Sequence, residues 1–185
     1  MENQTKKRGA LVAIITMVFL FAMIAFVTTM AAPFGIIWKE HYEWAGMMGN
    51  MMNFVAYFFM GIPASMMITR YGYKKTALSA LALGLIGIGI QLISSKMDGN
   101  SLNTYIIYLL GAFVCGLCVC ILNTVVNPML NLLGGGGNRG NQLIQTGGSL
   151  NSLAATLTPI LTGSMIGQIT KQTSLKVVTP LLLIA

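Results

Sequence analysis

The chain is 185 residues long, 55% hydrophobic and only 8% charged, with a formal net charge of +7 and a mean hydropathy of +0.75. An ordinary soluble domain carries roughly 25% charged residues, so this chain lacks the polar surface to coat a water-soluble core, and it is too apolar to stay disordered. Its 21 glycines have no Gly-X-Y period, which excludes collagen and leaves an all-α integral membrane protein.

A helix that crosses a bilayer needs about 20 apolar residues, and clustered charges divide the chain into runs of that length. After Lys6, Lys7 and Arg8, the stretch from Gly9 to Trp38 is uncharged and predicts a first span over about 10–37. The basic start and Ala31-Ala32 resemble a signal peptide, but the run is about twice the 7–15 residues of a signal core. Lys39, Glu40, His41 and Glu43 separate it from a second span at about 44–69. Arg70, Lys74 and Lys75 precede a third at about 75–95. Lys96 and Asp98 precede a fourth at about 103–133, and Arg139 a fifth at about 141–169. A sixth apolar run begins near Val177 and reaches Ala185 after nine residues. The expectation is a nine-residue cytoplasmic N-terminus, five complete spans and the start of a sixth, the first half of a longer protein.

With the N-terminus in the cytoplasm, Lys6, Lys7, Arg8, Arg70, Lys74, Lys75 and Arg139 lie inside, and Lys39, Lys96, Lys171 and Lys176 outside. That bias satisfies the positive-inside rule. The positive charge therefore reports topology; no basic stripe interleaved with aromatics exists to bind nucleic acid. Cys115, Cys118 and Cys120 sit inside span four, where a Cys-x-x-Cys without a second pair or a histidine reads as small buried hydrophobes. Met47, Met48, Met51 and Met52 read as adaptable filling. The Gly134–Gly140 stretch lacks the Lys-Ser/Thr of a phosphate loop and is expected to be a flexible cytoplasmic turn. The only histidine, His41, falls in an outer loop, and no span supplies a general acid, base or metal set. Neither an enzyme nor a metal or cofactor site is expected.

The spans nonetheless carry more polar residues than a simple anchor needs. Thr28 in span one, Asn53 and Tyr57 in span two, Asn123 and Asn127 in span four, and Gln145 and Asn151 in span five are spread over four helices. Polar groups in hydrocarbon usually face a bundle interior or a wet cavity. Uncharged amides can both donate to and accept from sugar hydroxyls, so these residues, Tyr57 aside, form the candidate substrate-binding set. The competing reading of each is an interhelical hydrogen bond of about 0.6–2 kcal/mol. Thr29-x-x-x-Pro33 in span one recurs as Thr124-x-x-x-Pro128 in span four, and Pro63 and Pro159 fall about twenty residues into spans two and five. Spans one and four enter from opposite sides, which is the pattern of an inverted three-plus-three repeat.

The loop Arg70-Tyr71-Gly72-Tyr73-Lys74-Lys75 resembles the signature loop of the major facilitator superfamily. Asn127-Pro128-Met129-Leu130, Arg139-Gly140-Asn141-Gln142 and Gly148-Ser149-Leu150-Asn151-Ser152-Leu153 resemble the fucose–galactose–glucose:proton symporter family. The resemblance implies the N-terminal six-helix half of a major-facilitator fold, a C-terminal half that completes it, and alternating access around a central sugar site. It implies that Asn151 lies in the sugar cavity and that Arg70, Gly72, Lys74, Lys75 and Arg139 form a cytoplasmic gating region. It further implies a multi-pass protein of the bacterial inner membrane that carries a hexose or deoxyhexose such as fucose, glucose or galactose.

Three departures matter. Thr69 stands where the superfamily loop usually has an aspartate. Ala32 and Asn123 stand where the family has its proton-carrying acids. Glu2, Glu40, Glu43 and Asp98, the four acids of the chain, all fall in predicted loops or tails. The expected activity is facilitated sugar transport, or transport whose coupling resides outside this half. Transport of another small solute, a nucleoside or a drug, and a non-transporting membrane module built from a half-transporter remain the alternatives. The reading predicts that the native gene product, purified from its source membrane, has an intact mass roughly twice 19.8 kDa. A mass near 20 kDa would instead require a homodimer for any transport and would favour the non-transporting module.

Overall fold

The computed structural model describes residues 2–97 and 101–166, together with Thr179 and Leu182. Those residues fold almost entirely as helix: α1 (Glu2–Thr29), α2 (Ala31–His41), a 3-10 turn (Glu43–Met47), α3 (Met48–Lys96), α4 (Leu102–Leu133) and α5 (Gly137–Ile166). Three segments among them are long and apolar enough to cross a membrane, as a multi-pass membrane protein requires: Gly9–Glu40, Glu43–Lys96 and Leu102–Leu133. Helix α5, read from the sequence as span five, is not among these, because its amides and hydroxyls lower its hydropathy. Lys171, Lys176 and most of the predicted sixth span lie outside the described residues, as does Asp98.

Span one is two helices in series. Pro33 has no N–H to give the carbonyl one turn back and its ring crowds that turn, and the break falls at Met30, just before it. Met30 itself keeps a hydrogen bond to the Phe26 carbonyl at 3.1 Å. The Thr29 hydroxyl donates to the Ala25 carbonyl at 2.6 Å, supplying a bond close to where the ladder is interrupted.

The expected loop at 70–75 is a single-residue hinge. Helix α3 runs up to Gly72, which takes φ 78° and ψ 167°, and continues beyond it. That region is essentially restricted to glycine. The two legs, residues 48–71 and 73–96, then run in opposite directions, which the packing of α4 against them shows. Gly49 lies against Tyr108 and Gly116 against Asn53 and Ala56, so numbering rises together along the first leg. Gly84 lies against Cys118, Gly87 against Cys115 and Gly111 against Gln91, so numbering opposes along the second. Helix α4 thus sits in the cleft of the hairpin, its Val125, Val126 and Leu130 fully buried. Its start is capped by Ser101, whose hydroxyl oxygen accepts from the Thr104 N–H at 3.4 Å.

The first segment runs antiparallel to α4: Leu11 and Ile14 share a cavity with Leu133, while Phe34 meets Tyr108 with ring centroids 5.2 Å apart. Helix α5 returns parallel to α1, with Gly147 against Phe21 and Arg139 near Ala10. The turn into it is shorter than the sequence suggests. Gly135, Gly136 and Gly137 take positive φ, so α5 begins at Gly137 and Arg139 stands in its first turn.

Two buried clusters hold the helices together. One joins Leu20, Phe21 and Ile24 of α1 to Ala64, Ala77 and Ala80 of α3 and Ile121, Leu122 and Val125 of α4. The other gathers Phe34, Trp38, Tyr105 and Tyr108 at the opposite end, where the Tyr105 hydroxyl donates to the Ala45 carbonyl at 2.9 Å. Cys115, Cys118 and Cys120 are free and buried, Cys115 and Cys118 facing Gly87 and Gly84. Gly72→Val would force a β-branched residue into the glycine-only region and is expected to lower stability by about 1–3 kcal/mol. A reduced melting temperature in detergent, larger than that of Gly61→Val in the adjoining open helix surface, checks this.

Candidate functional site

The polar residues of the interior meet along the seam between the first leg of α3 and α4. Gly116 brings the two helices close enough that a Cβ there would fall 2.9 Å from the Asn53 Oδ1 and 2.8 Å from the Ala56 Cβ. Farther along α4, the Asn123 Nδ2 donates to the Tyr57 hydroxyl oxygen at 2.6 Å. The Asn127 Nδ2 donates to the Asn123 carbonyl at 3.0 Å, next to the Thr124 carbonyl that Pro128, having no N–H, leaves without its helical donor. The Thr124 hydroxyl bonds back to the Cys120 carbonyl at 2.8 Å. Asn53, Tyr57, Asn123 and Asn127 are all half-buried.

This row carries no charge. After the contacts above, the Asn123 and Asn127 side-chain oxygens and the Tyr57 O–H proton still have hydrogen-bonding capacity. The seam can therefore hold a neutral, hydroxyl-bearing group from both sides of a hydrogen bond. It supplies no group that takes up and releases a proton near neutral pH.

The other candidate residues are placed differently. The Thr28 hydroxyl turns back onto its own helix, to the Ile24 carbonyl at 2.9 Å and the Ala25 carbonyl at 3.0 Å. On α5, Gln145 is exposed and Asn151 half-buried, and six residues of helix rotation put them about 120° apart. Among the described residues neither amide has a side-chain hydrogen bond. Arg70, Gly72, Lys74, Lys75 and Arg139 are all exposed at the end of the bundle that holds the hinge and the α4–α5 turn. The Arg70 guanidinium lies over the Tyr71 ring, 5.5 Å from its centroid, and Tyr71 and Lys75 line a cavity of about 270 Å3 with Met67, Thr76 and Ser79.

Two features are absent from the sequence reading. Gln91 lines a small cavity with Asn53, Val27, Met30, Phe34 and Cys115; an amide inside an apolar span was the signal available for it. A larger cavity, about 690 Å3, opens at the basic end between Leu11 and Ile14 of α1, Leu133 of α4, and Arg139, Gln142 and Thr146 of α5. Only the packing of α1 against α5 creates it, so no sequence pattern announces it.

Comparison with known proteins gives one kind of match. The chain is 28% identical over 113 residues to a glucose/galactose transporter of Brucella abortus biovar 1 (strain 9-941) and, equally, to one of Brucella abortus (strain 2308). The matched stretch covers 61% of this chain and 26% of each relative, so the chain matches about a quarter of the length of those transporters. No protein-family model matches the chain, and no solved structure matches it.

Removing the Asn123 amide leaves the Tyr57 hydroxyl without its interhelical partner. Asn123→Leu is expected to destabilise the α3–α4 pair by about 0.6–2 kcal/mol. In a double-mutant cycle with Tyr57→Phe the two losses should be less than additive; strict additivity would show that the 2.6 Å contact carries no coupling.

Proposed function

We propose that this chain is part of a sugar transporter that moves a neutral hexose or deoxyhexose across the membrane. The observation that carries the reading is the uncharged Asn123–Tyr57–Asn127 row in a half-buried interhelical seam, in a chain similar to glucose/galactose transporters. A neutral polyol needs paired donors and acceptors and no counter-charge, and amides and hydroxyls supply both. Asn53 and Asn151 extend the same chemistry, one across the seam from Gly116 and the other on α5.

The architecture supports a two-sided carrier. Successive described legs alternate in direction: α1–α2, the first leg of α3, the second leg of α3, α4 and α5. That order fits the N-terminal half of a major-facilitator fold with inverted repeats, completed by a C-terminal half and working by alternating access. The basic residues Arg70, Lys74, Lys75 and Arg139 belong to one end and mark it as cytoplasmic; the aromatic cluster with Trp38, Tyr105 and Trp44 belongs to the other. On this reading the protein lies in a bacterial inner membrane with a cytoplasmic N-terminus, and the basic end gates the cytoplasmic opening.

The transport is facilitated, or is coupled elsewhere in the whole protein. Asn123 and Ala32, at the positions where a coupling acid would be sought, do not titrate. The test is uptake of labelled glucose and galactose by vesicles containing the native gene product, with and without a proton gradient. Equilibrating uptake is expected, and Asn123→Leu should lower it roughly tenfold, the effect of about 1.4 kcal/mol. Uphill accumulation lost only on neutralising Glu40 or Glu43 would overturn the assignment of coupling. Absence of any sugar uptake would overturn the substrate.

A further inference from the structure

The hinge end of α3 gathers cations that no carboxylate answers. Arg70, Lys74 and Lys75 flank Gly72 and are exposed, and among the described residues none of them forms an ion pair. Glu40 and Glu43 stand before the far end of the first leg, which from Met48 to Arg70 is about 33 Å of helix at 1.5 Å per residue. Glu2 belongs to α1, where Lys6, Lys7 and Arg8 follow it. Thr69, next to Arg70, is neutral, and its hydroxyl donates to the Met66 carbonyl at 2.9 Å. Clustered cations at a membrane surface attract anionic lipid, and here no neighbouring acid competes for them.

The same end holds a shaped place for such a ligand. The cavity of about 270 Å3 is walled by α3 alone, with Met67 and Tyr71 from the first leg and Lys75, Thr76 and Ser79 from the second. Tyr71 and Lys75 are exposed and Thr76 is buried, so the cavity opens outward with these two residues at its rim. Met67 lies one turn below Tyr71, and Ser79 one turn below Lys75. The floor hydroxyls are spent on the backbone: Thr76 donates to the Gly72 carbonyl at 2.8 Å and Ser79 to the Thr76 carbonyl at 2.8 Å. The rim keeps its donors. The Lys75 ammonium and the Tyr71 hydroxyl make no hydrogen bond among the described residues, and the Arg70 guanidinium sits over the Tyr71 ring. Positive charge and free donors, without a carboxylate, suit an anionic oxygen cluster. An ammonium group would find no partner there.

We propose that this cavity seats the headgroup phosphate of an anionic phospholipid, held by Lys75 and Tyr71 with Arg70 beside them. The ligand is lipid because the cavity opens on the outside of an apolar bundle, at the end where tyrosine and basic side chains meet the headgroups. Tyr71 and Lys75 belong to opposite legs, so the bound lipid ties the two legs together across the Gly72 hinge. The site requires a membrane protein and is independent of the solute that the chain carries.

The test is native mass spectrometry of the native gene product in neutral detergent. Phosphatidylglycerol and phosphatidylethanolamine with identical chains are added in equal amounts. Phosphatidylglycerol is expected to be retained roughly tenfold more tightly; equal retention of the two lipids would overturn the site. Lys75→Gln combined with Tyr71→Phe should abolish the preference, and Lys75→Arg should keep it. Arg139→Gln removes one charge from the same end but outside this cavity, and the preference should survive it. A loss as large as that of the double variant would mean diffuse surface attraction and would reject the cavity. Inorganic phosphate at the same concentration should not displace the lipid; displacement would make the free anion the ligand. The tie across the hinge is read from melting temperature. Phosphatidylglycerol should raise it in the unsubstituted protein and not in the double variant, and equal rises would reject the tie.

Discussion

The close approach of α4 to both legs of α3 is the contact on which the rest of the arrangement depends. In lipid no hydrophobic effect draws helices together, so association rests on van der Waals packing and interhelical hydrogen bonds. Glycine supplies the approach here. A methyl group at Gly87 would meet the Cys115 sulfur at 2.7 Å and its backbone nitrogen at 2.8 Å, and one at Gly116 would meet Asn53 and Ala56. The reversal at Gly72 is what delivers both legs to one helix. Once α4 is seated, Asn123 reaches Tyr57, and the polar seam follows from the same geometry that packs the apolar core.

The helices solve their internal polarity locally. Serine and threonine hydroxyls bond back to carbonyls within their own helix in α1, α3, α4 and α5, so a hydroxyl inside an apolar span costs little. Among the amides, Asn127 also bonds back one turn within its helix, whereas Asn123 reaches across to Tyr57. Asn123 and Asn127 spend their N–H groups on a tyrosine and a carbonyl and keep their side-chain oxygens available, while Gln145 and Asn151 form no side-chain bond among the described residues. The contrast between spent hydroxyls and open amides is a chemical property of the interior. It suits recognition of a neutral solute better than transfer of a proton.

The two ends of the bundle differ in kind. One gathers Arg70, Lys74, Lys75 and Arg139, all exposed, around the hinge and the glycine turn. The other packs Phe34, Trp38, Tyr105 and Tyr108 into a buried aromatic cluster with Trp44 exposed at its edge. Basic residues favour the cytoplasmic side, which supports the orientation proposed above; amphipathic aromatics are enriched at both interfaces and do not choose between the two.

Much of this was legible in the residues themselves. Charge clusters at 39–43, 70–75 and 96–98 bound the legs to within a few residues, because a charge in hydrocarbon is too costly to be placed at random. Span one is interrupted next to Pro33, whose missing N–H breaks the ladder, whereas Pro63, Pro128 and Pro159 sit inside α3, α4 and α5, so a proline alone does not say where a helix ends. The amides of spans two and four were recognisable as interior groups for the same energetic reason. What composition could not give is partnership. That Asn123 bonds Tyr57 while Thr28 bonds its own helix depends on rotation and approach. Gln145 and Asn151 are set about 120° apart by their six-residue spacing, but which of them is covered depends on the face that α1 packs on, and the Arg139 cavity forms only where α1, α4 and α5 meet. Local costs of placing charge, proline and amide in an apolar span are properties of single residues and so are written in the sequence. Which polar atoms meet is set by how closely helices distant in the chain approach, and the tertiary structure alone decides that.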